Sequence, residues 1–481
     1  MERKTKIVAT VSDRCCDKEF VENLYKAGMN VVRINSAHAS MEGADRIVDN
    51  VRAVSEQIAI LIDTKGPEVR TTSTVANEGI EVGTGDILLV KGGDETSTKK
   101  CIYVNAKEIV KHVPVGSSLL IDDGDIELLV TEVRKDALVT EVRNRGWIKS
   151  HKSVNVPNVH IPLPSLTDRD REFIEWAIKR DLDFIAHSFV RNKEDLMEVQ
   201  QIIDKHQSTI KIISKIENQE GVDNIDEILK YTYGVMIARG DLGIEIPGER
   251  IPILQRNLVK KCVENKTPVI IATQMLQSMI NNPRPTRAEI NDVAGAIYQR
   301  TDAIMLSGET ASGLYPIEAV QTMDRVAREV EGDTNTILDV TLVGINNEIT
   351  AQLSRSAVRA CGNLPVKAVI IDTLSGRTGR YMSSFRGVKP VYAVCYRKHV
   401  MRELALSYGI FPEYQEPSFT HHNFLYNVLG KLEDRGKVNK EDLVVVVGGD
   451  FGAAQGASFM EICNVLSFQH KYLRERTSSN E

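Results

Sequence analysis

Short β-branched runs alternate with helical patterns through the first two-thirds of this 481-residue chain, and that rhythm leaves few folds open. The candidate strands are Lys6–Val11, Val31–Ser36, Ile58–Thr64, Phe184–Phe189, Ile210–Glu217, Gly234–Asp241, Pro268–Gln274 and Asp302–Glu309. Between most of them lie helical segments with legible ends. Asp17 caps one that stops at Gly28, and Thr167 caps another with apolar positions at Phe173, Ile174, Ala177 and Ile178. Eight strands, each followed by a helix, give the expectation of a parallel (β/α)8 barrel. An open doubly wound sheet is the competing reading, but no Gly-x-Gly-x-x-Gly turn follows the first strand.

Two departures from the rhythm divide the chain. After the third strand, a stretch of roughly a hundred residues lacks any long helical period, too long for a plain loop. It holds strand-like runs at Asp86–Val90, Ser118–Ile121, Ile126–Val133 and Leu138–Val142 between Gly and Asp turns, and reads as an inserted all-β lid. Gly66-Pro67 on one side and Pro157, Pro162 and Pro164 on the other look like its hinges. After about residue 346 a C-terminal α/β domain with a parallel sheet is expected, with strands at Ala368–Asp372, Val391–Cys395 and, last, Leu443–Val447. The expected division is barrel at 1–66 and 164–345, lid at 67–163, and a regulatory domain at 346–481, with a solvated tail from Lys471.

Catalytic groups of such a barrel belong at the C-terminal ends of its strands. Those ends read Arg33 and Asn35; Asp63, Thr64, Lys65, Glu68 and Arg70; Lys215 and Glu217; Arg239 and Asp241; Thr273 and Gln274; Ser307 and Glu309. Lys215 and Glu217 stand two apart on one strand and so point to the same side. One such pair alone reads as a structural ion pair; six strands ending this way point to a site. Glu217 and Asp241 supply hard oxygens suited to Mg²⁺. Arg33, Arg70, Lys152 and Lys215 are cations for phosphate and for charge that develops during a reaction. Gly240 leaves room for substrate beside Asp241. These residues imply a Mg²⁺-assisted phosphoryl or carboxylate enzyme with a lid.

Several exclusions follow from composition. A formal net charge of -6 gives nothing to attract nucleic acid, and no apolar run approaches membrane-spanning length. Seven cysteines, two of them the adjacent Cys15 and Cys16, suit a reduced, cytoplasmic setting better than zinc or disulfides. The N-terminus reads as a first strand rather than a secretory signal. Tandem His421 and His422 read as surface loop.

The segments IKIISKIENQEG (210–221), DTKGPEVRT (63–71), MIARGDLGIEIP (236–247), IATQMLQSM (271–279), RPTRAE (284–289) and MLSGETASGLYP (305–316) go further. With them the chain closely resembles the pyruvate kinase family over essentially its whole length. The resemblance implies transfer of the phosphoryl group of phosphoenolpyruvate to ADP in glycolysis. It implies that Lys215 stabilises the transferring group and the enolate, and that Arg33 binds the substrate phosphate. Thr273 and the backbone of Ala238, Arg239, Gly240 and Asp241 would hold the carboxylate, with Thr273 and Ser307 as candidates for proton delivery through water. Asn35, His38, Arg70 and Lys152 would bind the nucleotide, and Glu217 and Asp241 the catalytic Mg²⁺.

A monovalent cation, K⁺, would lie on Asn35, Asp63 and the Thr64 carbonyl, but Ala37 stands where the family has a serine hydroxyl. Glu68 is retained as in K⁺-dependent members, so K⁺ dependence with altered affinity is expected. Other departures are Ser12–Cys15 after the first strand, Ser36 and Ala39 around Ala37, Ser153 and Asn158 in the lid, and Gly295. Thr373, Ser375, Gly376, Arg377 and Thr378 resemble a loop that binds a sugar-phosphate or nucleotide effector, closed over by 448–458; an ordinary strand-to-helix turn with a Ser/Thr cap is the other reading. A homotetramer is implied. The competing functions are a Mg²⁺-dependent barrel lyase or aldolase on a related keto acid, which would not need the lid, Arg70 or Lys152, and a non-catalytic metabolite sensor.

Overall fold

In the computed structural model, residues 2–76, 78–333, 338–416, 421–449 and 456–469 are described. Eight parallel strands close into a barrel: β1 (Lys6–Thr10), β2 (Val31–Asn35), β3 (Ala59–Asp63), β4 (Phe184–His187), β5 (Lys211–Ile216), β6 (Gly234–Ala238), β7 (Val269–Ala272) and β8 (Ala303–Leu306). Each strand pairs with its neighbours in sequence, and β8 closes on β1, with Lys6 opposite Ala303. Side chains alternate about the wall. Val8, Val31, Leu61, Phe184, Ile213, Met236, Ile270 and Met305 fill the interior, while Ile7, Val32, Ile60, Ile185, Ile212, Ile237 and Ile304 pack outward under the helices. The capping expectations hold at Asp17, which accepts from Phe20 N, and at Thr167, which forms a reciprocal box with Asp170.

The insertion leaves the barrel after β3. Its core is a six-stranded sheet that joins Ile87–Gly92, Ser118–Ile121, Ile126–Val133 and Leu138–Val142 to the shorter Cys101–Val104 and Val154–Asn155. A two-stranded ribbon, Ile80–Val82 with Gly146–Ile148, and one helical turn, Ile109–His112, complete it. At the junction, Gly66 has φ +71, and a Cβ there would meet Ser188 and Phe189 within 3 Å. Asp170 ties this junction to the barrel, since its carboxylate accepts from Lys65 N at 2.8 Å.

The C-terminal domain orders its strands β11 (Ile410–Tyr414), β10 (Val391–Cys395), β9 (Val366–Thr373), β12 (Leu443–Gly448) and β13 (Phe459–Asn464). The first four are parallel and β13 runs antiparallel along the edge; neither β11 nor β13 was announced by the sequence. His421 and His422 open a helix, His421–Asp434, rather than lying in a loop. The tail from Lys471 lies outside the described residues.

This domain stoppers the floor of the barrel. Ala405 and Leu406 join the barrel's interior core, and Lys6, two residues before the inward Val8, extends its Nζ to the Ile410 carbonyl at 2.5 Å. Around this plug are buried ion pairs: Arg386 grips Asp302 at 2.5 and 2.9 Å, and Arg402 grips Asp183 at 2.5 Å. Burial pushes the Lys6 ammonium down to about 7. The unfolded chain therefore holds a proton that the folded chain lacks between about pH 7 and the ordinary lysine value. Wild-type stability should accordingly rise with pH across that window, by up to about 1.4 kcal/mol per unit. Lys6→Met removes the group, so the urea-unfolding free energy of wild type minus variant should climb from pH 7 to 10. A flat difference would mean that Lys6 is charged in the folded protein throughout.

Candidate active site

Parity along the strands decides what faces the barrel's mouth. Thr10, Arg33, Asp63, Ser188, Lys215, Ala238 and Ser307 each lie two residues beyond an interior residue: Val8, Val31, Leu61, Ala186, Ile213, Met236 and Met305. Their side chains, or for Ala238 the chain beside it, continue the interior face at the C-terminal end. The outward-facing alternates are the isoleucines, valines and leucine that hold the helices.

Lys215 is the centre of this group. Its Nζ donates to Ser188 Oγ at 2.7 Å and is ion-paired with Asp63 Oδ1 at 3.0 Å and Glu217 Oε1 at 2.9 Å. Burial opposes its charge, but Asp63 and Glu217 outweigh burial and raise it above the ordinary lysine range. Asp63 is shared with Arg33, whose Nε donates to Oδ2 at 2.7 Å while Nη1 reaches Thr10 Oγ1 at 3.0 Å. Burial would raise the Asp63 carboxyl; Lys215 and Arg33 together hold it below its usual value.

Glu217 behaves differently although it pairs with the same ammonium. Burial comes first and pushes it up to about 7; Lys215, shared with Asp63, offsets this only in part, and Asp241 adds repulsion. Asp241, half-buried, is raised too, by burial and by Asp123 and Glu68 facing it from the lid side. Two carboxylates that repel each other beside a mouth already supplied with ammonium make a place short of positive charge. Phe189, held at φ +56, turns its N–H to Glu217 Oε2 at 2.8 Å and fixes one of its oxygens. Glu217, Asp241, Glu68, Asp123, Ser153 and Phe189 line a cleft of about 650 Å³ between lid and barrel.

A second cavity of about 290 Å³ is lined by Arg33 together with Thr10, Ser12, Asp13, Asn35, His38 and Ser307, among others. Asn35 Oδ1 accepts from Ala37 N at 3.1 Å, and Ser307 N donates to Glu309 Oε2 at 2.8 Å. Arg70 and Lys152 stand apart from this cluster on the lid. Arg70 is paired with Glu68 at 2.7 Å and with the His151 carbonyl, and Lys152 with Asp122 at 2.9 Å.

At the end of β7, Thr273 has φ +66, the left-handed region that a β-branched residue rarely adopts. The turn aims its Oγ1 at Gly240 N, from which it accepts at 2.8 Å, while the hydroxyl proton goes to the Ala272 carbonyl at 2.7 Å. Arg239 turns its side chain away, to Asp292 at 2.6 Å and the Thr273 carbonyl at 2.7 Å, so it contributes backbone only at this place. Ala238 precedes the short helix Arg239–Glu245.

Far from this mouth, Thr373 ends β9 and Gly376, at φ +74, starts the helix Arg377–Ser384 with no side-chain cap. Thr373 and Thr378 are buried, Arg377 is half-buried and Ser375 is exposed. The stretch expected to close over this turn falls partly outside the described residues, at 450–455.

Two residues at the mouth escaped the sequence reading, Thr10 and Ser188. Their signal was the parity rule applied to every strand, since neither carries a charge that draws notice.

Comparison with known proteins agrees with this architecture. The model of the pyruvate kinase barrel domain matches residues 2–320, and that of the pyruvate kinase alpha/beta domain matches residues 351–463. A pyruvate kinase of Borreliella burgdorferi is 44% identical over 470 residues, 97% of this chain and 98% of that protein. One of Bacillus licheniformis is 43% identical over 96% of this chain and 80% of its own length. A crystal structure of a pyruvate kinase from Cryptosporidium parvum superposes with a TM-score of 0.90 at 33% identity, covering 96% of both chains.

The turn at Thr273 makes a test of backbone strain. Thr273→Val keeps the branched shape but leaves Gly240 N–H without its acceptor, and should cost about 1–2 kcal/mol in urea unfolding. Thr273→Gly loses the same bond but relieves about 1–3 kcal/mol of strain, and should stay within about 1 kcal/mol of wild type. The opposite order would show that residue 273 is not strained.

Proposed function

The chain belongs to the pyruvate kinase family, and from that premise we propose how its own residues divide the work. The reaction moves the phosphoryl group of phosphoenolpyruvate to ADP, giving ATP and, after protonation of the enolate, pyruvate. Neither a barrel lyase nor a metabolite sensor has support among the relatives.

Arg33 takes the substrate phosphate, with its guanidinium oriented by Asp63 and Thr10. Lys215 donates to the phosphoryl group in transit and then to the enolate oxygen. The observation that carries this reading is its burial with a retained charge: an ammonium held by Asp63 is preorganised for negative charge that develops in front of it. Thr273 Oγ1, with the amides around Gly240, receives the carboxylate, and Thr273 and Ser307 deliver a proton through water. Arg70 and Lys152, with His38 and Asn35, receive the nucleotide. The pairs Arg70–Glu68 and Lys152–Asp122 are partly exposed, so exchanging them for phosphate costs little. Closure of 67–163 over 1–66 and 164–345 then excludes water.

Glu217 and Asp241 fit a Mg²⁺ ion, because both are raised by burial and Asp241 repels Glu217, so a divalent cation would relieve the shortage of positive charge between them. When bound it neutralises charge on the transferring group. Asn35, Asp63 and the Thr64 carbonyl offer hard oxygens to K⁺, one fewer than expected because Ala37 has none. A cytoplasmic homotetramer, and a phosphate-bearing effector at Thr373–Thr378 within 346–481, complete the proposal; no helix among the described residues is long and apolar enough to cross a membrane.

A coupled assay of ADP-dependent pyruvate formation tests the assignment. Lys215→Met should lower kcat by at least about 10²–10³-fold with folding and Mg²⁺ binding intact. Near-normal turnover would remove this lysine from the mechanism. Ala37→Ser should lower the K⁺ concentration needed both for half-maximal rate and for K⁺-dependent thermal stabilisation. If neither moves, the hydroxyl is irrelevant to the cation.

A further inference from the structure

The reading of Lys215 leaves open what aims its ammonium, and the structure assigns that role to Ser188. This inference rests on Lys215 being the catalytic lysine. Ser188 is 2% exposed and follows β4, the one strand between β3 and β5. Its hydroxyl has one proton, and the distances to its partners favour one acceptor for it. Lys215 Nζ, 2.7 Å away, can only donate, so the oxygen accepts from it. The Thr64 carbonyl, also at 2.7 Å, can only accept, so it receives the hydroxyl proton; Asp63 Oδ1, at 3.4 Å, is a weaker alternative. The result is a directed chain from ammonium to hydroxyl to carbonyl, each bond polarising the next.

The serine is itself immobilised. Its N–H donates to Thr64 Oγ1 at 3.0 Å, while Thr64 N donates to the Ala186 carbonyl at 3.0 Å, lacing the ends of β3 and β4 together. Gly66, at the junction, lies so close that a Cβ there would meet the Ser188 Cβ at 2.9 Å. The oxygen that holds Lys215 therefore has almost no freedom of its own.

Charge explains why a neutral group is needed here. Asp63 and Glu217 already attenuate the ammonium, and a third carboxylate would cancel more of the positive charge on which transition-state stabilisation depends. A hydroxyl holds direction without neutralising. Without it, the ammonium is left with its two carboxylates alone and its direction is no longer fixed. Ser188 is thus a positioning residue: it touches Lys215, and through it the reacting atoms.

Ser188→Ala should lower kcat by about 10- to 100-fold, the range for a misplaced group, while KM for phosphoenolpyruvate stays within about twofold. Ser188→Thr, which keeps the hydroxyl, should recover kcat to within about threefold of wild type. Placed on Lys215→Met, Ser188→Ala should reduce the residual rate no further, because its effect passes through the lysine. In the alanine variant Mg²⁺ binding should be unchanged and thermal melting should fall only slightly, by the loss of the buried hydroxyl's bonds. Should it fail to fold, Ser188→Cys, of similar size but a poor acceptor, carries the same expectation for kcat. A kcat within twofold of wild type in the alanine or cysteine variant, equal losses in alanine and threonine, a loss confined to KM, or a further drop on Lys215→Met would each overturn the assignment. Failure of the lysine reading shows separately, as retained turnover in Lys215→Met alone.

Discussion

A buried ammonium keeps its charge only if its protons find acceptors and its field finds compensating charge. Lys215 meets both conditions from three strands at once, with Ser188 after β4, Glu217 beyond the end of its own β5 and Asp63 at the end of β3. Asp63 is in turn neutralised from the other side by Arg33 on β2. Four neighbouring strands must therefore end at matching heights and with matching parity. A parallel barrel provides that register, since every strand presents the same end to the same mouth. At that mouth Lys215 stands between the two kinds of charge, paired with Glu217 on its own strand and with the Asp63 that Arg33 also holds.

The two ends of the barrel spend polar residues differently. At the floor, Asp302 with Arg386 and Asp183 with Arg402 are closed, buried pairs, and Asp302 also accepts from the backbone amide of Tyr408. They weld the C-terminal domain to the strands' beginnings. At the other end, Arg70 and Lys152 on the insertion are paired with the half-buried Glu68 and Asp122, and Thr273 is held in a strained turn. Closed pairs stabilise; exchangeable pairs and strained turns leave room for a ligand. The helix Arg377–Ser384 begins at the candidate effector turn and leads toward Arg386, so that turn connects to the floor through one rigid element.

Much of this was legible in the chain itself. Eight apolar runs alternating with helical segments, two of them with capping residues at Asp17 and Thr167, led to the barrel, and charged residues at their ends led to Arg33, Asp63, Lys215, Glu217 and Asp241. The lid was visible as a missing helical period, although four of its eight strands, none longer than four residues, went unread. Ser188 and Thr10 went unread because a hydroxyl at a strand end is chemically quiet until its partners are known. Strand β13 was missed since it pairs antiparallel with β12, and its half-buried edge position shows no apolar run.

The order of secondary structure, the family and the identity of the charged groups were set by the sequence alone, since periodicity and residue type are local properties. Which protons point where was not. That Arg239 turns from the mouth toward Asp292, that Thr273 occupies Gly240 N, and that Ser188 stands between Lys215 and Thr64 all depend on backbone segments far apart in the chain. Hydrogen-bond direction is decided by distances of a few tenths of an ångström between such segments, and only the closed barrel sets those distances.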